Sequence, residues 1–100
     1  MKSGYRLLWS DKALEELRRT FAYLEENFSD LEIRRVTAKL EFTLKLIVQN
    51  PFAFPHSQKS QGMRRALVTR HNTIFYRISR NQVEILSFFS NRQDPDQLNF

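Results

Sequence analysis

Residues 63–90 read MRRALVTRHNTIFYRISRNQVEILSFFS. Within them, segments 63–69, 73–79 and 83–90 alternate apolar and polar residues with a period of two. β-Branched and aromatic side chains supply most of the apolar positions, as pleated and half-buried strands require. The joints Arg70-His71-Asn72 and Arg80-Asn81-Gln82 are short and polar, which predicts a meander of antiparallel hairpins.

Working back from this sheet, residues 51–62, PFAFPHSQKSQG, form a connecting loop marked by Pro51 and Pro55. Its aromatic residues, Phe52 and Phe54, are expected to tuck onto the body. Upstream of Pro51 the period lengthens. Ile33, Val36, Leu40, Leu44, Ile47 and Val48 recur at helical spacing, and so do Leu14, Leu17, Phe21, Leu24 and Phe28. Ser29 and Asp30 separate the two runs, and Ser10 and Asp11 precede the first; each can cap a helix. So short a joint favours an antiparallel helical hairpin. Phe21, Leu24, Leu40, Leu44 and Ile47 are expected to be buried against the sheet, while Glu15, Glu16, Glu25 and Glu26 form a wet face. Phe42 falls off the apolar stripe. Residues 5–9, YRLLW, read as a first strand. The order is β-α-α-β-β-β, an α+β fold with a helical hairpin on one face of an antiparallel sheet, in a single domain over residues 1–100. The opposite sheet face is left to meet a partner.

The chain has 100 residues, 41% hydrophobic and 13% aromatic, enough for one core. It has no Cys, so disulfides and Cys-based zinc sites are excluded. Its first ten residues hold no apolar run suited to a signal segment, and no stretch approaches a membrane span; a cytoplasmic location is expected. The formal net charge of +5 points to an anionic partner, such as nucleic acid, a ribosome or an acidic protein.

Arginines crowd the sheet half: Arg64, Arg65, Arg70, Arg77, Arg80 and Arg92. Arginine suits phosphate and carboxylate because its planar fork donates two parallel hydrogen bonds. By alternation Arg64, Ala66, Val68 and Arg70 share one face, and Met63, Arg65, Leu67 and Thr69 the other. A set of solvated strand arginines would equally oppose edge aggregation. His71 falls in a hairpin turn, and nothing near it in sequence supplies an orienting group; a surface turn histidine is the plain reading. Tyr76 alternates with Ile74 and Ile78 and is expected in the core. There is no glycine-rich phosphate loop, nucleophile motif or convincing carboxylate pair, so neither cofactor nor metal is expected.

Several segments together resemble the RelE/ParE toxins, the plasmid stabilisation family of type II toxin–antitoxin systems. They are Gly62-Met63-Arg64-Arg65, Phe75-Tyr76-Arg77-Ile78, Val83-Glu84-Ile85-Leu86 and Asn91-Arg92-Gln93-Asp94-Pro95. The opening strand, helical hairpin and Pro-containing loop are similar too. The resemblance implies a toxin neutralised by a cognate antitoxin that wraps it with a partly disordered, often acidic segment. RelE-like members cleave messenger RNA in the ribosome, whereas ParE-like members poison DNA gyrase and are not nucleases. On the resemblance Arg92 matches the arginine after the last strand that stabilises the phosphate in RNA-cleaving members. Arg64 and Arg65 fall where basic residues contact RNA. These three are the catalytic candidates if the chain is a ribonuclease. Arg64, Arg65, Arg70, Arg77, Asn91 and Arg92 are the candidates for contact with a target or antitoxin. Ser90 stands where many relatives have His, and Thr73 about where the RelE nucleases have Arg. Cleavage by 2′-hydroxyl attack needs a proton acceptor as well as charge at the phosphate. The expectation is therefore a ParE-like toxin acting on a macromolecular target, with a messenger RNA endoribonuclease as the alternative and a non-toxic nucleic-acid-binding module as a third.

Overall fold

Ser10 and Ser29 set the start of each helix. Ser10 Oγ accepts from the Ala13 amide at 3.0 Å and opens helix α1, Asp11–Asn27. Ser29 opens α2, Asp30–Gln49, with a reciprocal capping box. Its Oγ accepts from the Glu32 amide, and the Glu32 carboxylate accepts from the Ser29 amide at 3.0 Å. Such a box satisfies backbone donors that the first helical turn leaves unpaired. Asn50 and Pro51 stop α2, and a short 3-10 turn, Pro51–Ala53, follows. This computed structural model describes residues 4–58 and 61–91.

Four strands form one sheet: β1 (Arg6–Trp9), β2 (Arg64–Thr69), β3 (Asn72–Ser79) and β4 (Gln82–Ser90). Gly62 precedes β2 with φ of 79°, a left-handed conformation that glycine adopts without steric cost. Spatial order is β1-β4-β3-β2. The hairpins β2–β3 and β3–β4 are antiparallel as expected, but β1 runs parallel to β4, with Arg6 opposite Gln82 and Trp9 opposite Ile85. The sheet is therefore mixed, not antiparallel. A tight turn forces antiparallel pairing, and none joins these strands. Both helices, β2 and β3 intervene, which is the long crossover that parallel neighbours need.

The helices share one face of the sheet. Ala13, Leu40 and Ile47 pack with Ala66, Val68, Ile74, Tyr76, Val83, Ile85 and Phe88, while Leu17, Phe21 and Leu44 lie partly buried against them. Leu24 is 2% exposed and Ile47 fully enclosed; each such side chain stabilises by roughly 1.5–3 kcal/mol. Leu14, expected on the apolar stripe of α1, is 40% exposed. The small Ala13 and Thr20 occupy the line of closest approach instead. A larger side chain there would hold the helix off the sheet.

β4 carries an irregularity. Tyr76 faces Ile85 and Phe75 faces Ser87, so Leu86 has no opposite number. Beyond it β1 no longer pairs with β4, since that ladder ends at Ile85, and α1 supplies the acceptor there. Glu16 Oε1 accepts from the Phe88 amide at 3.0 Å and from Ser87 Oγ at 2.8 Å. Ser10 reaches the same strand, its amide donating to Ile85 O. Glu16, expected on the wet face, is thus a fastener between α1 and β4. Among the described residues, no helix is long and apolar enough to cross a membrane.

Candidate functional site

The sheet arginines do not form one patch. On β2, Ala66 and Val68 face the helices and Arg64 shares their side. An arginine there must find acceptors, and Arg64 Nη1 donates to Phe54 O at 2.6 Å and Phe52 O at 3.3 Å. Its guanidinium carbon lies 5.3 Å from the centre of the Phe52 ring. Arg64 therefore clamps the loop after α2. Phe54 packs edge-on to Tyr76, and the exposed Phe52 meets Tyr5 edge-on. Replacing Arg64 with Ala is expected to cost about 1–2 kcal/mol, from charge-assisted hydrogen bonds at a partly exposed site. Arg64→Lys, which loses the flat guanidinium over the Phe52 ring, should recover only part of that loss in the urea midpoint.

Arg65 and Arg77 point to the other side, away from the helices. Arg65 stands opposite Phe75, and Arg77 lies two residues further along β3 on the same face. They are diagonal neighbours. Arg77 is engaged across the β3–β4 hairpin, its Nη2 donating to Glu84 Oε1 at 2.9 Å.

Arg70 lies at the far end of β2, roughly 20 Å from Arg64 at the rise of an extended strand. There the β2–β3 turn is pinned. Thr69 Oγ1 accepts from the His71 amide at 3.1 Å and from Asn72 Nδ2 at 2.8 Å. The Asn91 amide donates to His71 O, and His71 Nδ1 lies 3.3 Å from Asn91 Oδ1. His71 therefore has the orienting neighbour that its sequence surroundings did not reveal. Ser90 and Thr73 flank this end, opposite Asn72 and Phe89 respectively. Arg92 lies outside the described residues.

Tyr76 is fully enclosed in the core, and its hydroxyl donates to Pro51 O at 2.6 Å. Burial pushes its pKa up to about 12, against a smaller opposing pull from the Arg64 charge. It stays a neutral donor and holds the loop that Arg64 also holds. Among the described residues, no group of three or more His, Cys, Asp or Glu side chains could hold a metal.

Two surface hollows adjoin the helices. A groove of about 430 Å³ runs between α2 and β2, lined by Ala38, Lys39, Phe42, Leu46, Phe54 and Leu67 among others. Phe42 and Leu67 are each 62% exposed. β2 is the sheet edge here: Arg65 N is met by Pro55 O and Met63 O by the Ser57 amide, and among the described residues the loop makes no further backbone bond to the strand. A second cavity, of about 720 Å³, lies between the helical hairpin and the β2–β3 turn. Its lining includes Tyr23, Phe28, Arg35, Lys39, Arg70 and His71.

Comparison with known proteins agrees with this architecture. No curated protein matches the chain. Among solved structures, the chromosomal ParDE toxin–antitoxin system from P. aeruginosa matches with a TM-score of 0.74 at 14% identity, over 89% of this chain and 98% of that one. The E. coli DinJ-YafQ complex matches with a TM-score of 0.59 at 15% identity, over 87% and 93%. The YoeB dimer from Staphylococcus aureus matches with a TM-score of 0.58 at 20% identity, over 85% and 94%. At these identities the likeness is one of fold. A family model, the ParE toxin of the type II toxin–antitoxin system parDE, matches residues 7–95. With that match spanning nearly the whole chain, the protein belongs to the ParE toxin family of type II toxin–antitoxin systems.

Proposed function

We propose that this chain is a ParE-like toxin that arrests growth by binding a macromolecular target, DNA gyrase, rather than by cutting RNA. The observation that carries this reading is the engagement of Arg64. A phosphate-stabilising arginine needs to swing free to meet developing charge, and Arg64 is anchored through Nη1 to the carbonyls of Phe52 and Phe54 on the core side of the sheet. Arg77 is likewise paired with Glu84. Arg65 remains exposed as a contact residue, and Arg92 is proposed as a further anion contact on the family resemblance.

A cognate antitoxin neutralises the toxin by lying along the groove between α2 and β2. Phe42, Leu46 and Leu67 offer it apolar surface, Lys39 in the groove and Arg65 on the adjoining outer sheet face attract its acidic residues, and the β2 edge offers backbone partners. Phe42→Ala and Leu67→Ala are each expected to weaken the complex about tenfold, the loss of ~1.4 kcal/mol of buried contact. Raising salt should slow association. Surface plasmon resonance with the product of the adjacent reading frame measures both.

The alternative ribonuclease reading draws on one observation, the contact between His71 Nδ1 and Asn91 Oδ1, which could orient a proton acceptor. Two assays on purified wild type and Arg92→Ala separate the readings. Inhibition of gyrase supercoiling with intact messenger supports ours. Cleavage of ribosome-bound messenger by wild type, lost in Arg92→Ala and His71→Ala, would replace it.

A further inference from the structure

Three cations line the cavity between the helical hairpin and the β2–β3 turn. Arg35 and Lys39 project from α2, and Arg70 from the turn beside His71. Arg35 and Lys39 are four residues apart, a like-charge spacing that disfavours the helix by a few tenths of a kcal/mol. Among the described residues none of the three takes part in an ion pair. One carboxylate, Glu32, also lines the cavity, and it accepts from the Ser29 amide and hydroxyl in the capping box. Among the described residues the lining thus sets three cations against one carboxylate, a surplus of positive charge.

The same cavity has an aromatic wall. Tyr23 and Phe28 lie with ring centres 6.1 Å apart and planes tilted by 57°. Leu24 and Val36 complete the apolar lining. The turn opposite is held by Thr69 Oγ1, and Asn91 stands against His71 Nδ1, so the Nε2 side of the ring is the one free of that contact.

We infer that this cavity binds a nucleotide, its phosphate held by Arg35, Lys39 and Arg70 and its base against Tyr23 and Phe28. A terminal phosphate carries nearly two charges on one centre with several acceptor oxygens, which suits three cations lining one hollow better than a single carboxylate does. Arginine meets such oxygens in pairs. Bases stack on aromatic rings whatever their identity, by roughly 1–3 kcal/mol each. A volume of about 720 Å³ accommodates one nucleotide. The nucleotide comes either free or as one unit of a single strand. The inference does not rest on the toxin reading, which concerns the α2–β2 groove and the outer sheet face, although Lys39 lines both hollows.

The test is calorimetric titration of the full chain, with amide NMR mapping, using adenosine monophosphate, adenosine, inorganic phosphate, pentaadenylate RNA and a hexaglutamate peptide. Adenosine monophosphate is expected to bind at least tenfold tighter than adenosine or phosphate alone, shifting the amides of Tyr23, Phe28 and Thr69–His71. Arg35→Gln and Arg70→Gln should each weaken it at least fivefold while the remaining spectrum stays folded. Tyr23→Ala should weaken adenosine monophosphate but not phosphate. If pentaadenylate binds tighter than the mononucleotide at these same amides, the site serves a strand; if not, it serves the free nucleotide. Phosphate binding as tightly as the nucleotide, shifts located elsewhere, hexaglutamate binding more tightly than either nucleotide probe, or no binding at millimolar ligand would each overturn the inference. None of these outcomes bears on antitoxin binding or gyrase inhibition, which are measured separately.

Discussion

Tyr76→Ala is expected to destabilise the protein by about 3–5 kcal/mol, the usual cost of truncating an enclosed aromatic side chain. Tyr76 has no solvent exposure, and its ring meets Phe54 edge-on. It stands opposite both Arg64 and Ile85 at the centre of the sheet. Loss of the ring would open a cavity there and release the loop after α2 at once. Tyr76→Phe isolates the hydroxyl. It keeps the packing but leaves Pro51 O without its donor, and should cost about 1–2 kcal/mol. The hydroxyl also predicts a pH dependence. Its folded pKa, about 12, lies above the ordinary value of 10, so the folded state favours the neutral form. The associated stability is fully present below pH 10 and is lost as pH rises from there toward 12, because the unfolded chain deprotonates first. Its size is on the order of 2 kcal/mol at most. Urea unfolding between pH 8 and pH 11.5 should show this alkaline decline in wild type and a shallower one in Tyr76→Phe. Equal slopes would contradict the assignment.

What the sequence makes legible here follows from periodicity. The three strands of the sheet half begin and end within a residue or so of the expected limits, because apolar β-forming residues fill them and the joints are polar. Both helices start at the serines that cap them. Periodicity carries no information on strand direction when the partners are far apart, so the parallel pairing of β1 with β4 was not visible. Nor does it weigh size. Leu14 fits the apolar stripe of α1 as well as Ala13 does, yet only Ala13 is small enough for the line of contact.

The candidate site was legible only as a composition. Clustering of arginines in sequence placed Arg64, Arg65, Arg70 and Arg77 together, and folding separates them by face and by strand length. The fate of Arg64 had a signal: its alternation with Ala66 and Val68 puts it on the core side, where a charge must find acceptors. Those of Arg35 and Lys39 had none. Their spacing is that of any wet helix face, and only the return of the chain at Arg70 and His71 turns that face into a cavity wall. His71 and Asn91 lie 20 residues apart and meet across the end of the sheet, a proximity that no local pattern encodes.

Glu16→Ala is expected to cost about 2–3 kcal/mol, far more than replacement of a solvated helix glutamate, for which changes stay within about 0.5 kcal/mol. The carboxylate is a bridge between residues more than 70 positions apart. β1 pairs with β4 only as far as Ile85, so beyond the bulge at Leu86 the Phe88 amide has no β1 partner, and Phe88 itself is 1% exposed in the core. An amide stranded in such a place costs about 1–3 kcal/mol, and a charged acceptor adds strength to each bond it receives. Glu15, one residue earlier, is the internal control. It pairs only with Arg18 and Arg19 on an exposed face, and the Arg18 hydrogen bond holds its carboxyl below the usual value. Exposed pairs of this kind contribute little, so Glu15→Ala should leave the urea midpoint nearly unchanged. Glu16→Gln keeps a carbonyl oxygen for the Phe88 amide and should restore most of the loss. Hydrogen exchange gives the local readout: in Glu16→Ala the Phe88 amide should exchange faster relative to its neighbours on β3, whereas uniform acceleration across the sheet would show that the bridge serves overall stability without capping the bulge.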